Sequence, residues 1–198
     1  MKVPTKDECF ALLDKYRAPP SIIDHVTAVA KVGRQLAEAF VAKGVDVDVD
    51  AVEAACLLHD VLKCVDFQNY DNFNDEEQAF YANLVGRFGK SHPEAAAKML
   101  AEEGYPEVGE IIRSHGLESI GEASGPTSME QKIVFYADKR AKYVTVTLES
   151  RFGEWKKKYS ENNDDERDKE YWAEKENLSI ALEEDLFEQL DIKPGDLK

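Results

Sequence analysis

Most of the chemistry this sequence offers lies in four histidines and two aspartates: His25, His59, His92, His115, Asp60 and Asp138. The chain has no other histidine. His59 and Asp60 are adjacent, set into the apolar run AACLLHDVLKC at residues 54–64. Ionisable groups in such a setting are costly unless they are paired or bind metal. His25 lies four residues before Val29 and eight before Gly33, on the apolar stripe of its helix. His59 shares a side with Val52, Ala55 and Leu62, and His115 follows Ile111 and Ile112 at one helical turn. Asp138 comes four residues after Val134, and His92 falls in the first turn of its helix. A lone histidine on an apolar face is ordinarily a hydrogen-bonded core residue, and a lone helical aspartate ordinarily faces water. Six such residues from five helices, all turned inward, make coincidence a poor account. Neutral imidazole and carboxylate are ligands for divalent metals: Fe, Mn, Zn, Co or Ni. One or two shared ions would compensate the buried charge of Asp60.

Helical patterning holds nearly throughout, so the fold class is all-α. Thr5 with Glu8 is a capping box opening a helix that runs to about Tyr16, where Arg17-Ala-Pro-Pro breaks it. Ser21 and Asp24 open a second helix, which Gly44 closes. A third begins near Val49 and carries the His59-Asp60 pair. Residues 66–90 read as loop plus a short helix. Ser91 with Glu94 is a second capping box, and EVGEIIRSH forms a short helix ended by Gly116. Thr127 with Glu130 caps a helix reaching toward Phe152, although the β-branched run at 144–147 weakens its second half. Residues 160–170 are a solvated charge run, and an amphipathic helix covers about 171–190. Residues 1–150 form the main domain, with 151–198 as a helical extension packed on it. That last helix is expected to fold back on the domain or to pair in a homodimer.

With 198 residues, 25 Lys plus Arg against 40 Asp plus Glu, the formal net charge is −15. Phosphate repulsion therefore argues against general nucleic-acid binding. Three cysteines, Cys9, Cys56 and Cys64, form no disulfide framework. No apolar run approaches the ~20 residues of a membrane helix. These features give the expectation of a soluble, cytoplasmic protein that does not engage membranes.

The order His25 … His59-Asp60 … Asp138 resembles the H…HD…D signature of the HD-domain metal-dependent phosphohydrolases. LLHDVLK resembles the family's LLHDIGK, and KIVFYADKR resembles its KIVYLADK segment. SHPEAAAKML and IIRSHG resemble the segments that carry its further histidines. The resemblance spans roughly residues 20–145. It implies a helical bundle in which His25, His59, Asp60 and Asp138 hold a divalent metal. It also implies that His92 and His115 serve a second ion, with Asp60 bridging. Such a site hydrolyses a phosphoester or phosphoanhydride of a small phosphorylated metabolite, a nucleotide or dinucleotide above all. Metal lowers the pKa of bound water from about 15.7 toward ~7, which makes a nucleophile at neutral pH.

Lys63 matches the lysine of the family motif. It is read as a catalytic and substrate-binding group beside Asp60. Among the cations after Asp138 (Lys139, Arg140 and Lys142), Arg140 is the substrate-binding candidate. Leu62 stands where the family has glycine, which is expected to narrow or reshape the pocket. Residues 67–88 are a candidate lid, with Tyr70, Phe73 and Tyr81 able to stack on a base or to pack. RFGEWKKKY, residues 151–159, reads as a packing helix rather than a nucleic-acid surface. Two other readings stay open: a di-iron oxygenase of the HD type, and a non-catalytic nucleotide-binding protein.

Overall fold

The structure is a computed structural model that describes residues 1–67, 69–160 and 169–198. Much of the expected 160–170 charge run lies outside the described residues. Among those described, the regular elements are helices, and the all-α class is borne out.

Local chemistry explains where each helix begins. α1 (Lys6–Lys15) opens on the Thr5–Glu8 capping box. α2 (Pro20–Ala42) opens two residues earlier than a cap at Ser21 suggests, because Pro20 already has the fixed φ of a first helical position. Asp48 caps α3 (Val49–Leu58) by accepting the Ala51 N–H at 3.0 Å. α3 stops at Leu58, so His59 and Asp60 follow the helix instead of riding inside it.

After a short 3-10 turn at Lys63–Asp66, α4 (Asp75–Phe88) starts at an Asn74–Glu77 box and is longer than expected. The Ser91 side chain makes no cap for α5 (His92–Glu102). The His92 N–H instead donates to Asp66 Oδ1 at 2.9 Å. α6 (Pro106–Ile112) follows directly. α7 (Met129–Arg140) is capped by Ser128 with Gln131, one residue beyond the expected pair. The β-branched run then wins over helix: Ala141 and Thr145 form an antiparallel bridge. Thr147 restarts the chain as α8 (Leu148–Ser160), its hydroxyl accepting the Ser150 N–H. α8 therefore straddles position 150. α9 (Lys169–Glu188) folds back, burying Trp172, Leu182 and Leu186 in the common core.

Two close approaches set the frame. A Cβ on Gly33 would meet Cys56 Sγ at 2.4 Å, Val52 Cγ1 at 3.4 Å and the Ala137 Cβ at 3.7 Å. Gly33 thus lets α2 lie tight against α3 and α7, the elements that deliver His25, His59-Asp60 and Asp138. A Cβ on Gly109 would meet the Ala97 carbonyl oxygen at 2.9 Å, so α6 presses against α5 and brings His115 toward His92. Gly33→Ala is expected to destabilise the protein by about 1–3 kcal/mol in urea unfolding, as overpacking does. Cys56→Ala removes the obstructing sulfur, so the double variant should be more stable than the sum of the two single losses. Simple additivity would mean that the contact is not what glycine relieves.

Candidate metal centre

His59 and His115 reach the site by the same local device. Each lies three residues beyond a last-turn carbonyl and turns its ring back onto it. His59 Nδ1 is 2.8 Å from the Cys56 oxygen, and His115 Nδ1 is 2.6 Å from the Ile112 oxygen. A carbonyl only accepts, so Nδ1 carries the proton and Nε2 keeps its lone pair. His25 Nδ1 likewise faces the Lys142 oxygen at 3.1 Å. His92 Nδ1 is held by the Asp66 carboxylate. All four rings are thus oriented with Nε2 directed inward, as the outer hydrogen bonds of metal-ligating histidines do.

The inward atoms fall into two sets that share Asp60. Asp60 Oδ2 is 3.8 Å from His25 Nε2 and 3.7 Å from His59 Nε2. Asp138 Oδ1 closes that set, at 3.1 Å and 3.5 Å from the same nitrogens. Asp60 Oδ1 is 3.1 Å from His92 Nε2 and 3.6 Å from His115 Nε2. The nitrogens of His92 and His115 are themselves 2.9 Å apart, close enough to share one ion. His25, His59 and Asp60 form one group of donor atoms close enough to hold an ion, and Asp60, His92 and His115 form another. His59 Nε2 is buried with no hydrogen-bond partner. A buried acceptor left bare is costly, and a cation is the partner this donor set fits.

The electrostatics agree. Burial pushes the Asp60 carboxyl up, but the surrounding His59, Lys63, His115 and His92 hold it well below the usual carboxylate range. Asp138 behaves alike: burial opposes ionisation, while Lys139, His25 and His59 outweigh it. Burial brings the His115 imidazole down to about 4, so it is neutral and ready to ligate.

The cations are placed differently from expectation. Lys63 does line the cavity, with Nζ 3.7 Å from Asp60 Oδ1, 3.5 Å from Asp66 Oδ2 and 3.1 Å from His92 Nε2. Arg140 does not line it. Its guanidinium donates to Glu183 at 2.8 Å, to the Val146 oxygen at 2.5 Å, to the Pro194 oxygen at 2.9 Å and to the Tyr136 hydroxyl. It ties α7 to α9 and the C-terminal segment. The neighbouring Lys139 faces the site, bonding Asp138 Oδ2 at 2.5 Å and the His115 carbonyl at 2.7 Å. One position along a helix is a rotation of about 100°, which separates these roles.

Leu62 also departs from expectation. It is fully buried in the core with φ −107°, so it neither borders the cavity nor needs glycine's freedom. Phe67, Tyr70, Phe73 and Tyr81 pack on one another, and Tyr81 donates to the Arg17 carbonyl at 3.0 Å. None of the four borders the cavity.

Instead α8 and α9 supply the outer wall. Arg151, Trp155, Tyr159 and Trp172 line the same opening of about 240 Å³ as His25, Asp60 and His115. The i, i+4, i+8 spacing of Arg151, Trp155 and Tyr159 was the available sequence signal, since it sets all three on one helix face. Asp66 was missed because its partner, His92, is 26 residues away.

Asp66→Ala is expected to weaken binding of the second of two ions by about 10–100-fold, as loss of an outer-shell partner does. Binding of the first should change little. Titration of the chelator-treated protein with Mn(II), followed calorimetrically, reads both steps. Equal weakening of both steps, or of neither, would contradict the assigned role of Asp66.

Comparison with curated proteins and with solved structures gives no significant match. The family model described as HD domain matches residues 22–142, more than half of the chain and the span that carries all six candidate ligands. The chain belongs to the HD domain family.

Proposed function

We propose that this protein is a metal-dependent phosphohydrolase that cleaves a phosphoester or phosphoanhydride of a small metabolite, a nucleotide in particular. The observation that carries the reading is the division of Asp60: one carboxylate oxygen faces His25 and His59, and the other faces His92 and His115. A carboxylate shared in this way suits two adjacent ions. Divalent ions bound there supply an activated water at neutral pH and offset charge on the phosphoryl oxygens. The remaining work falls to the chain. His115 and His59 stay fixed by their carbonyl partners, and Lys139 holds the Asp138 carboxylate in place. Lys63 brings a positive charge to the cavity beside Asp60, where a phosphate would lie. With two bound ions the centre attracts an anion even on a chain of net charge −15. The three cysteines are free and buried, which fits a reducing cytoplasmic setting.

The test is turnover by protein reconstituted with Mn(II) or Fe(II), assayed on nucleoside monophosphates, dinucleotides and simple phosphodiesters. Phosphate or nucleotide release dependent on metal is expected. Lys63→Met should lower kcat/KM by about 10²–10³-fold, the usual effect of losing one charge-stabilising donor. A fully metallated protein that turns over none of these would overturn the proposal. Oxygen uptake by the iron form would instead point to oxidation.

A further inference from the structure

Six arginines fall among the described residues, and five of them have a carboxylate partner. Arg17 pairs with Glu76, Arg34 with Glu53, Arg87 with Glu102, Arg113 with Glu94 and Arg140 with Glu183. Arg151 is the exception: among the described residues it makes no ion pair. Its Nε is buried and has no hydrogen-bond partner. Its charge acts on Glu154 at a distance, without a close ion pair, and in a chain with 40 acidic residues a guanidinium that makes no ion pair calls for an explanation. Its place supplies one, because Arg151 lines the cavity that holds the metal ligands.

The surroundings narrow the ligand. The Arg151 guanidinium carbon lies over the Trp155 ring, 4.6 Å from its centre, in a cation–π contact. Trp155, Tyr159 and Trp172 continue along the same wall. Tyr159 and Trp172 stack with centroids 5.4 Å apart, and Trp155 lies 6.5 Å from Trp172. A guanidinium fork suits two oxygens of one phosphate, whereas an ammonium would offer only a point charge. Flat aromatic walls suit a nucleobase, since every base has a π-face. At about 240 Å³ the cavity lies just under the usual small-molecule range of roughly 300–1,000 Å³. That size favours one nucleotide unit over two.

We infer that α8 and α9 form a nucleoside-monophosphate subsite: Arg151 binds the phosphate beside the metal centre, and Trp155 receives the base. The inference deepens the phosphohydrolase reading by naming its substrate class, and it rests on that reading for the phosphate's position. Arg151 is then a substrate-binding residue, and the C-terminal extension is part of the site.

The experiment measures equilibrium binding of adenosine 5′-thiomonophosphate, a slowly hydrolysed probe, and of ribose 5-phosphate to the Mn(II)-loaded full chain. Wild type should bind the nucleotide about tenfold or more tightly than the sugar phosphate, reflecting the base. Arg151→Gln should weaken both by about 10–100-fold, the effect of losing a charged hydrogen bond. Arg151→Lys should recover only part of that loss. Trp155→Leu should weaken the nucleotide alone. Thermal unfolding and metal content of each variant show whether the fold and the centre are intact. If Arg151→Gln disturbs them, Arg151→Lys carries the comparison. Unchanged affinities in the intact Arg151 variants, or equal affinities of wild type for the two probes, would overturn the inference. Arg151-dependent binding with no turnover of nucleoside monophosphates, dinucleotides or phosphodiesters would sink the hydrolase reading and leave the subsite standing. Phosphate release indifferent to Arg151 would do the reverse.

Discussion

The buried carboxylate of Asp60 is the constraint on which the rest of the structure depends. Its side chain is 10% exposed, four imidazoles face it, and its ionised form is strongly favoured. An anion in that position must have compensating charge or it would be protonated or expelled. The histidines cannot supply all of it, since His115 is held neutral by burial and His59 Nε2 has no hydrogen-bond partner. Lys63 contributes one positive charge from the edge. A divalent ion on either side of the carboxylate would satisfy each of these groups at once.

The scaffold can be understood as what that demand requires. Two pairs of helices are pressed together at glycines, α2 on α3 at Gly33 and α6 on α5 at Gly109, and each pair serves one oxygen of Asp60. α3 and α6 end just short of their histidines, so that His59 and His115 can bond the final turn through Nδ1 and aim Nε2 at the centre. Continuing α3 would give the Cys56 carbonyl a backbone N–H partner, whereas the Ile112 carbonyl takes both the His115 backbone N–H at 3.1 Å and its ring. Asp66 serves twice, capping α5 through Oδ1 and orienting the first residue of that helix through Oδ2. Helix architecture and ligand orientation are therefore the same set of hydrogen bonds.

Much of this could be read from residue types and spacing. The six candidate ligands stood out because they are polar residues beside apolar helical positions; helical period puts His25 and Asp138 on the inner face, whereas His59 and His115 lie past the ends of α3 and α6 and owe their aim to the carbonyls they bond. The all-α class followed from the same periodicity. What escaped was set by contacts between distant segments or by single-residue rotations. Thr127 and Ser128 both satisfy a cap pattern, and only the path of the chain selects Ser128. Lys139 and Arg140 are adjacent and both basic, yet one bonds Asp138 while the other anchors Glu183. The β-branched run at 144–147 broke the long helix and so turned α8 across the cavity, bringing Arg151 and Trp155 to a site more than 30 residues from His115 in sequence. Sequence patterns report which face of a helix is buried, not which other helix it meets.

The most direct test of the central claim, that Asp60 joins two cation sites, is the electron paramagnetic resonance spectrum of the Mn(II)-reconstituted protein. The account predicts that filling the second equivalent replaces the signal of isolated Mn(II) with that of an exchange-coupled pair. It also predicts that Asp60→Ala abolishes the coupling. Spectra that keep the isolated-ion signal at every loading, or coupling that survives the loss of Asp60, would contradict it.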